Sequence, residues 1–116
     1  MSVLDTLIKK YQMLNVPAEL DPYEDAFLKA KTMRDSDSVV LLSRVVIASM
    51  SSGTYSQCGI RKLIRIYMGQ GISFVSVRKD LRCTNDQVTV YQEAVRKAMD
   101  EVRNRLMDKI KKSIEV

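Results

Sequence analysis

Apolar residues recur every three or four positions along most of this chain, and that spacing predicts helices. Val3, Leu4, Leu7, Ile8, Tyr11 and Leu14 form one stripe from Ser2 to Leu14. Ser2 can cap it and Asp5 suits its first turn. Asn15-Val16-Pro17 ends it, because the residue before a proline disfavours the helical region. Ala18 to Asp21 reads as a connector. A second helix then opens with Asp21 as cap, Pro22 at the first helical position and the acids Glu24 and Asp25 in the first turn. Tyr23, Ala26, Phe27, Ala30 and Met33 mark its inward face, and it ends near Arg34. Asp35-Ser36-Asp37-Ser38 starts a third element, the most apolar of the chain, from Val39 to Met50. Its β-branched residues argue for strand. Its length, with no turn signal before Ser51-Ser52-Gly53, argues more strongly for one helix, central in a bundle or at a dimer interface.

Gly53 to Ser56 reads as a loop. Gln57 to Met68 is a fourth helix, with Ile60, Leu63, Ile64 and Tyr67 inward and Arg61, Lys62 and Arg65 outward. Gly69-Gln70-Gly71 stops it, and one glycine there serves as a C-terminal cap. The stretch from Gly71 to Gln92 then predicts a helix-turn-helix. Phe74 to Leu81 is its first helix, Arg82-Cys83 its turn, and Thr84 the cap of its second helix. Val77 and Leu81 share one helix face, and Val88 and Tyr91 share the next. Thr84 with Gln87 makes a capping box. That start leaves Asn85, Asp86, Gln87, Thr89, Val90 and Gln92 pointing outward. From Thr84 to Ile114 there is no Gly or Pro, and Val88, Tyr91, Val95, Val102, Leu106, Ile110 and Ile114 keep the helical spacing. A helix of about thirty residues extends ~45 Å. Its distal half needs a partner, either the N-terminal helices or a second copy of the chain. The predicted fold class is all-α: a bundle of five or six helices with a C-terminal helix-turn-helix and a long last helix.

Composition narrows the function classes. At 116 residues the chain predicts one domain, with residues 1–58 as a helical or oligomerisation part and 59–116 as the helix-turn-helix part. There is no His, and the two cysteines, Cys58 and Cys83, have no metal-ligand spacing, so neither a metal site nor a cofactor is expected. The Glu24-Asp25 pair has a sufficient cause in the helix dipole, and neither cysteine has an activating base, so no enzyme is expected. No apolar run approaches the ~18–20 residues of a membrane span, and no secretory signal opens the chain. A cytoplasmic setting, with reduced cysteines, is the expectation.

The net charge of +5 is unevenly spread. Up to Cys58 six basic residues meet seven acidic ones; from Gly59 onward thirteen meet seven. The excess therefore lies in the half that carries the motif, which suits a polyanion. In a DNA complex Arg61, Lys62, Arg65, Arg78, Lys79 and Arg82 would hold phosphates. Asn85, Gln87, Thr89 and Gln92 would read bases, because Asn and Gln pair bidentately with adenine and Thr can touch a thymine methyl. Asp86 would be repelled by phosphate unless it accepts from a cytosine amine.

Leu63-Ile64, Tyr67 and the Gly71-Ile72-Ser73 step, followed by the motif, resemble the helix-turn-helix of sigma-factor region four. Less closely, the GIS step and the trailing helix resemble lambdoid phage late antitermination proteins of the Q type. The usual alanine of the first motif helix and the glycine of the turn are absent, and Arg82 stands at the turn. The cysteine cluster of some antitermination proteins is also absent. The resemblance implies a transcription-related helix-turn-helix protein of a bacterial or phage-infected cell. The expected partners are double-stranded DNA and a second copy of the chain, as a homodimer, with RNA polymerase as a further candidate. The alternative is a small helical adaptor that binds a host protein such as RNA polymerase without DNA specificity of its own.

Overall fold

The computed structural model describes residues 2–14, 19–50 and 56–115. Among them the chain is all-α. Six helices follow in order: α1 (Val3–Gln12), α2 (Pro22–Met33), α3 (Ser36–Ser49), α4 (Gln57–Tyr67), α5 (Phe74–Leu81) and α6 (Asn85–Glu115). The expected stop at Asn15-Val16-Pro17, the start of the connector at Ala18, the turn at Ser51-Ser52-Gly53 and most of the Gly53–Ser56 loop lie outside the described residues.

The helix starts form where the sequence places polar caps. In α1 the Ser2 hydroxyl accepts from the Asp5 N–H at 3.1 Å, and the Asp5 carboxylate accepts from the Ser2 N–H at 3.4 Å. In α2 the Asp21 carboxylate accepts from the Glu24 N–H at 2.7 Å, and Glu24 Oε1 accepts from the Asp21 N–H at 2.9 Å. Asp35 opens α3 by accepting from the Ser38 N–H at 2.9 Å. The apolar third element is a helix despite its β-branched residues. Burial of Val39, Leu42 and Val46 outweighs a per-residue propensity deficit of only a few tenths of a kcal/mol.

α6 is the axis of the molecule. Its 31 residues run ~46 Å at 1.5 Å per residue, close to the longest dimension of 48 Å. α1, α2, α3, α4 and α5 all contact it. Val95, Ala98, Met99, Val102, Leu106 and Ile110 are buried on its inner face. So the distal half of α6 is covered by the N-terminal helices of the same chain.

Two expected inward residues of α2 point out: Tyr23 is 41% exposed and Met33 is 64% exposed. The inner face is turned toward Glu24, which is fully buried beside Phe27 and Ala30. A buried carboxylate needs charge compensation, and α6 supplies it. Lys109 Nζ lies 2.5 Å from Glu24 Oε1, and Arg105 Nε lies 3.6 Å from Oε2. The same Arg105 reaches Asp21 Oδ2 at 3.6 Å. The capping box of α2 is thus also the clamp on the far end of α6.

Candidate nucleic-acid interface

The helix-turn-helix begins with the way α4 stops. Gly69 takes φ +81°, its N–H donates to the Ile66 carbonyl at 3.0 Å, and the Gln70 N–H donates to the Arg65 carbonyl at 2.9 Å. This is the paired termination that a left-handed glycine permits. Gln70 is then buried, and its side-chain amide donates to the Ala30 carbonyl at 3.3 Å, fixing the exit of α4 against the end of α2. The chain passes Gly71, Ile72 and Ser73 into α5.

α5 lies against α4 through a glycine contact. A Cβ at Gly59 would meet Leu81 Cγ and Cδ2 at 2.5 Å, so any larger residue there must displace the Leu81 side chain. Lys62 spans the same seam: its ammonium lies 2.6 Å from Asp80 Oδ2 and also donates to the Ser76 hydroxyl. Val77 is fully buried beneath α5. After Leu81, Arg82 adopts φ 51°, ψ 51°, the left-handed cap conformation, and Cys83 tucks half-buried against the core. Arginine thus occupies a conformation that favours glycine, at a backbone cost of ~1–2 kcal/mol. Thr84 and Gln87 make the predicted capping box: Gln87 Oε1 accepts from the Thr84 N–H at 2.9 Å, and Thr84 Oγ1 accepts from the Gln87 N–H at 3.3 Å. Val88 is buried and anchors the first turn of α6.

The six basic candidates divide into committed and uncommitted groups. Lys62 holds the α4–α5 seam. Arg61 folds back along its own helix, donating to the Gln57 carbonyl at 3.2 Å and to Cys58 Sγ at 3.2 Å. Arg65, Arg78, Lys79 and Arg82 make no side-chain hydrogen bond or ion pair among the described residues. Lys79 and Arg82 are exposed, and Arg65 and Arg78 are half-buried. Arg78, Lys79 and Arg82 surround the turn, three basic residues within five positions, while Asp80 among them is engaged by Lys62.

The four base-reading candidates also differ in placement. Asn85 is exposed on the first turn of α6. Gln87 is exposed, but its carbonyl oxygen serves the cap, leaving its amide N–H groups outward. Thr89 is exposed and donates its hydroxyl proton to the Asn85 carbonyl at 3.2 Å, so it offers a ligand its methyl group and the acceptor side of its hydroxyl. Gln92 is half-buried. With Thr89 it borders a groove of about 320 Å³ between α4 and α6, walled by Leu63, Ile66, Tyr67 and Arg96. Tyr67 closes that groove: its ring meets Phe27 edge-on at 6.1 Å, and its hydroxyl donates to Asp100 at 2.6 Å. Burial, and then the hydrogen bond to Asp100, push the phenol above its ordinary range.

Sequence reasoning missed the double role of Glu24, the closeness set by Gly59 and the burial of Gln70. Only Gly59 carried a local signal, because a glycine inside a helical pattern costs ~1 kcal/mol against alanine and needs a packing reason.

No protein-family model matches this chain, and no curated protein and no solved structure matches it either. Among the described residues no cluster of His, Cys, Asp and Glu could hold a metal ion, and no helix is long and apolar enough to cross a membrane.

Proposed function

We propose that this chain binds double-stranded DNA through α5, the turn and the start of α6, and does so in transcription control. One observation carries the reading. The outer side of the first turns of α6 is exposed at the end of a helix otherwise buried along one face, and the turn beside it holds Arg78, Lys79 and Arg82 with no side-chain hydrogen bond or ion pair among the described residues. Such a helix can enter a major groove while the turn lies on the backbone. Asn85 and the amide of Gln87 face the base edges in this reading, with Thr89 offering its methyl. Gln92 stands at the margin, toward the α4 groove. The assignment to transcription and to a phage-infected or bacterial cell rests on the resemblance of Leu63–Leu106 to sigma-factor region four and Q-type proteins, and RNA polymerase is the host partner such a regulator would touch. A homodimer would read two half-sites about 34–36 Å apart.

Phe74 and Val75, about half exposed on α5, favour a second reading. Apolar side chains at the head of the motif suit an adaptor that docks on a host protein.

Salt separates the two. With Arg65, Arg78, Lys79 and Arg82 on phosphates, DNA affinity falls about 100-fold between 50 and 200 mM salt. Arg78→Glu with Arg82→Glu weakens binding to all sequences and flattens that slope by about two. Unchanged affinity in the double variant contradicts the DNA reading.

A further inference from the structure

Val90 is 68% exposed, the one large apolar residue of α6 that stands in solvent. Two positions earlier Val88 is 2% exposed, on the opposite side of the helix. One turn before Val90, on the same side, Asp86 is exposed and has no hydrogen bond or ion pair among the described residues. Thr84 caps the helix, so Asp86 is not needed for that. Its place in the first turn gains something from the helix dipole, but this does not account for Val90, a β-branched residue that lowers helix propensity and buries nothing.

We propose that the outer face of α6 reads a cytosine and a thymine, with Asp86 accepting from the cytosine N4 amine and Val90 covering the thymine C5 methyl. This deepens the DNA-binding reading and rests on it. In the major groove only cytosine and adenine present an amine donor, and only thymine presents a methyl. Adenine pairs its amine with the N7 acceptor, which repels a carboxylate. Guanine offers two acceptors and repels it outright. Cytosine is therefore the base edge that Asp86 tolerates best. Thr89, its hydroxyl held by the Asn85 carbonyl, adds a second methyl beside Val90. Asp86 and Val90 are four residues apart, ~6 Å along the axis, or about two base-pair steps. The face thus selects by one acceptor and two apolar groups.

The test uses the full chain and a duplex selected from a random pool. Each thymine is replaced in turn by uracil, which removes only the methyl. The proposal expects one uracil position to lower wild-type affinity about fourfold, the value of one buried methyl-sized group. Val90→Ala should weaken binding to the thymine duplex by a similar factor and become indifferent to uracil there. Asp86→Ala should lose its preference at one cytosine and bind random DNA more tightly, because a charge repelled by phosphate is gone. A helix start that merely lost stability would not gain affinity. If the protein binds the duplex but no uracil substitution matters, or Val90→Ala stays uracil-sensitive, the proposal fails while DNA binding stands. No DNA affinity even at low salt overturns both, and assigns Val90 to a protein-facing surface.

Discussion

The same local device stands at both ends of the longest helix. Asp21 with Glu24 and Thr84 with Gln87 are both capping boxes, each closing a helix start with two reciprocal hydrogen bonds. The glutamate of the first is buried, and it also grips Lys109 and Arg105 near the far end of α6. The second lies in solvent at the start of α6, with the free half of Gln87 facing outward. The same hydrogen bonds therefore serve a tertiary clamp in one place and an accessible edge in the other. The long helix is held at its distal end and presented at its proximal end. What differs is the surroundings brought by chain segments 80 or more residues away.

That contrast can be broken from its strongest side first. Lys109→Ala removes the nearer partner of a buried carboxylate. Because Lys109 is itself 40% exposed, the cost falls below that of a fully buried pair, to about 2 kcal/mol. Thermal unfolding would register it as a drop of roughly 8 °C or more. A Tm within a degree of the parent would remove the clamp from the account. Next comes Gly59→Ala, whose new methyl meets Leu81; overpacking of this kind costs about 1–3 kcal/mol. Leu81→Ala in the same chain should recover part of that loss, and additive losses would show that the two residues are not in contact.

Smaller effects sharpen the exposed side. Gln87→Ala should cost only about 0.5–1 kcal/mol, since water replaces what the cap loses, yet it should change the preferred DNA sequence. Arg82→Gly relieves the left-handed backbone at φ 51° and should stabilise the fold by about 0.5–1 kcal/mol while lowering DNA affinity at every sequence. A stability gain without loss of affinity would remove Arg82 from the phosphate contacts. Tyr67 gives the smallest effect, seen in the pH dependence. Its phenol holds its proton more tightly folded than unfolded. Its contribution is therefore complete below the ordinary tyrosine value of ~10 and is lost as pH rises above it. Tyr67→Phe should flatten that alkaline fall in denaturant midpoint.

Much of the architecture was legible because it is local. The polar caps at Ser2, Asp21, Asp35 and Thr84, the glycine at position 69 and the unbroken apolar spacing through α6 each act within a turn or two of themselves. The expected motif boundaries, Phe74 to Leu81 and a helix after Thr84, match the structure for that reason. The spacing alone would place Tyr23 and Met33 inward. Spacing defines a stripe to within a residue, and the packing of α3 and α6 on α2 decides which edge of the stripe is covered. Glu24 looked like a first-turn acid, which it is, but its partner lies 85 positions away. Lys62 and Arg61 looked like outward charges in the sequence. Their engagement with Asp80 and Gln57 depends on helix packing and rotamer choice, which leave no trace in the one-dimensional pattern.

In the proposed reading the exposed start of α6 is a DNA-reading edge held out by a helix clamped at its other end. Retention of the purified chain on a random double-stranded DNA pool, at low and at physiological salt, tests it most directly. The expected result is enrichment of a short site that persists at physiological salt, with wild-type protein outbinding Arg78→Glu/Arg82→Glu on every sequence. No retention at low salt would contradict it and leave the helix-turn-helix as a packing unit or a protein-docking surface.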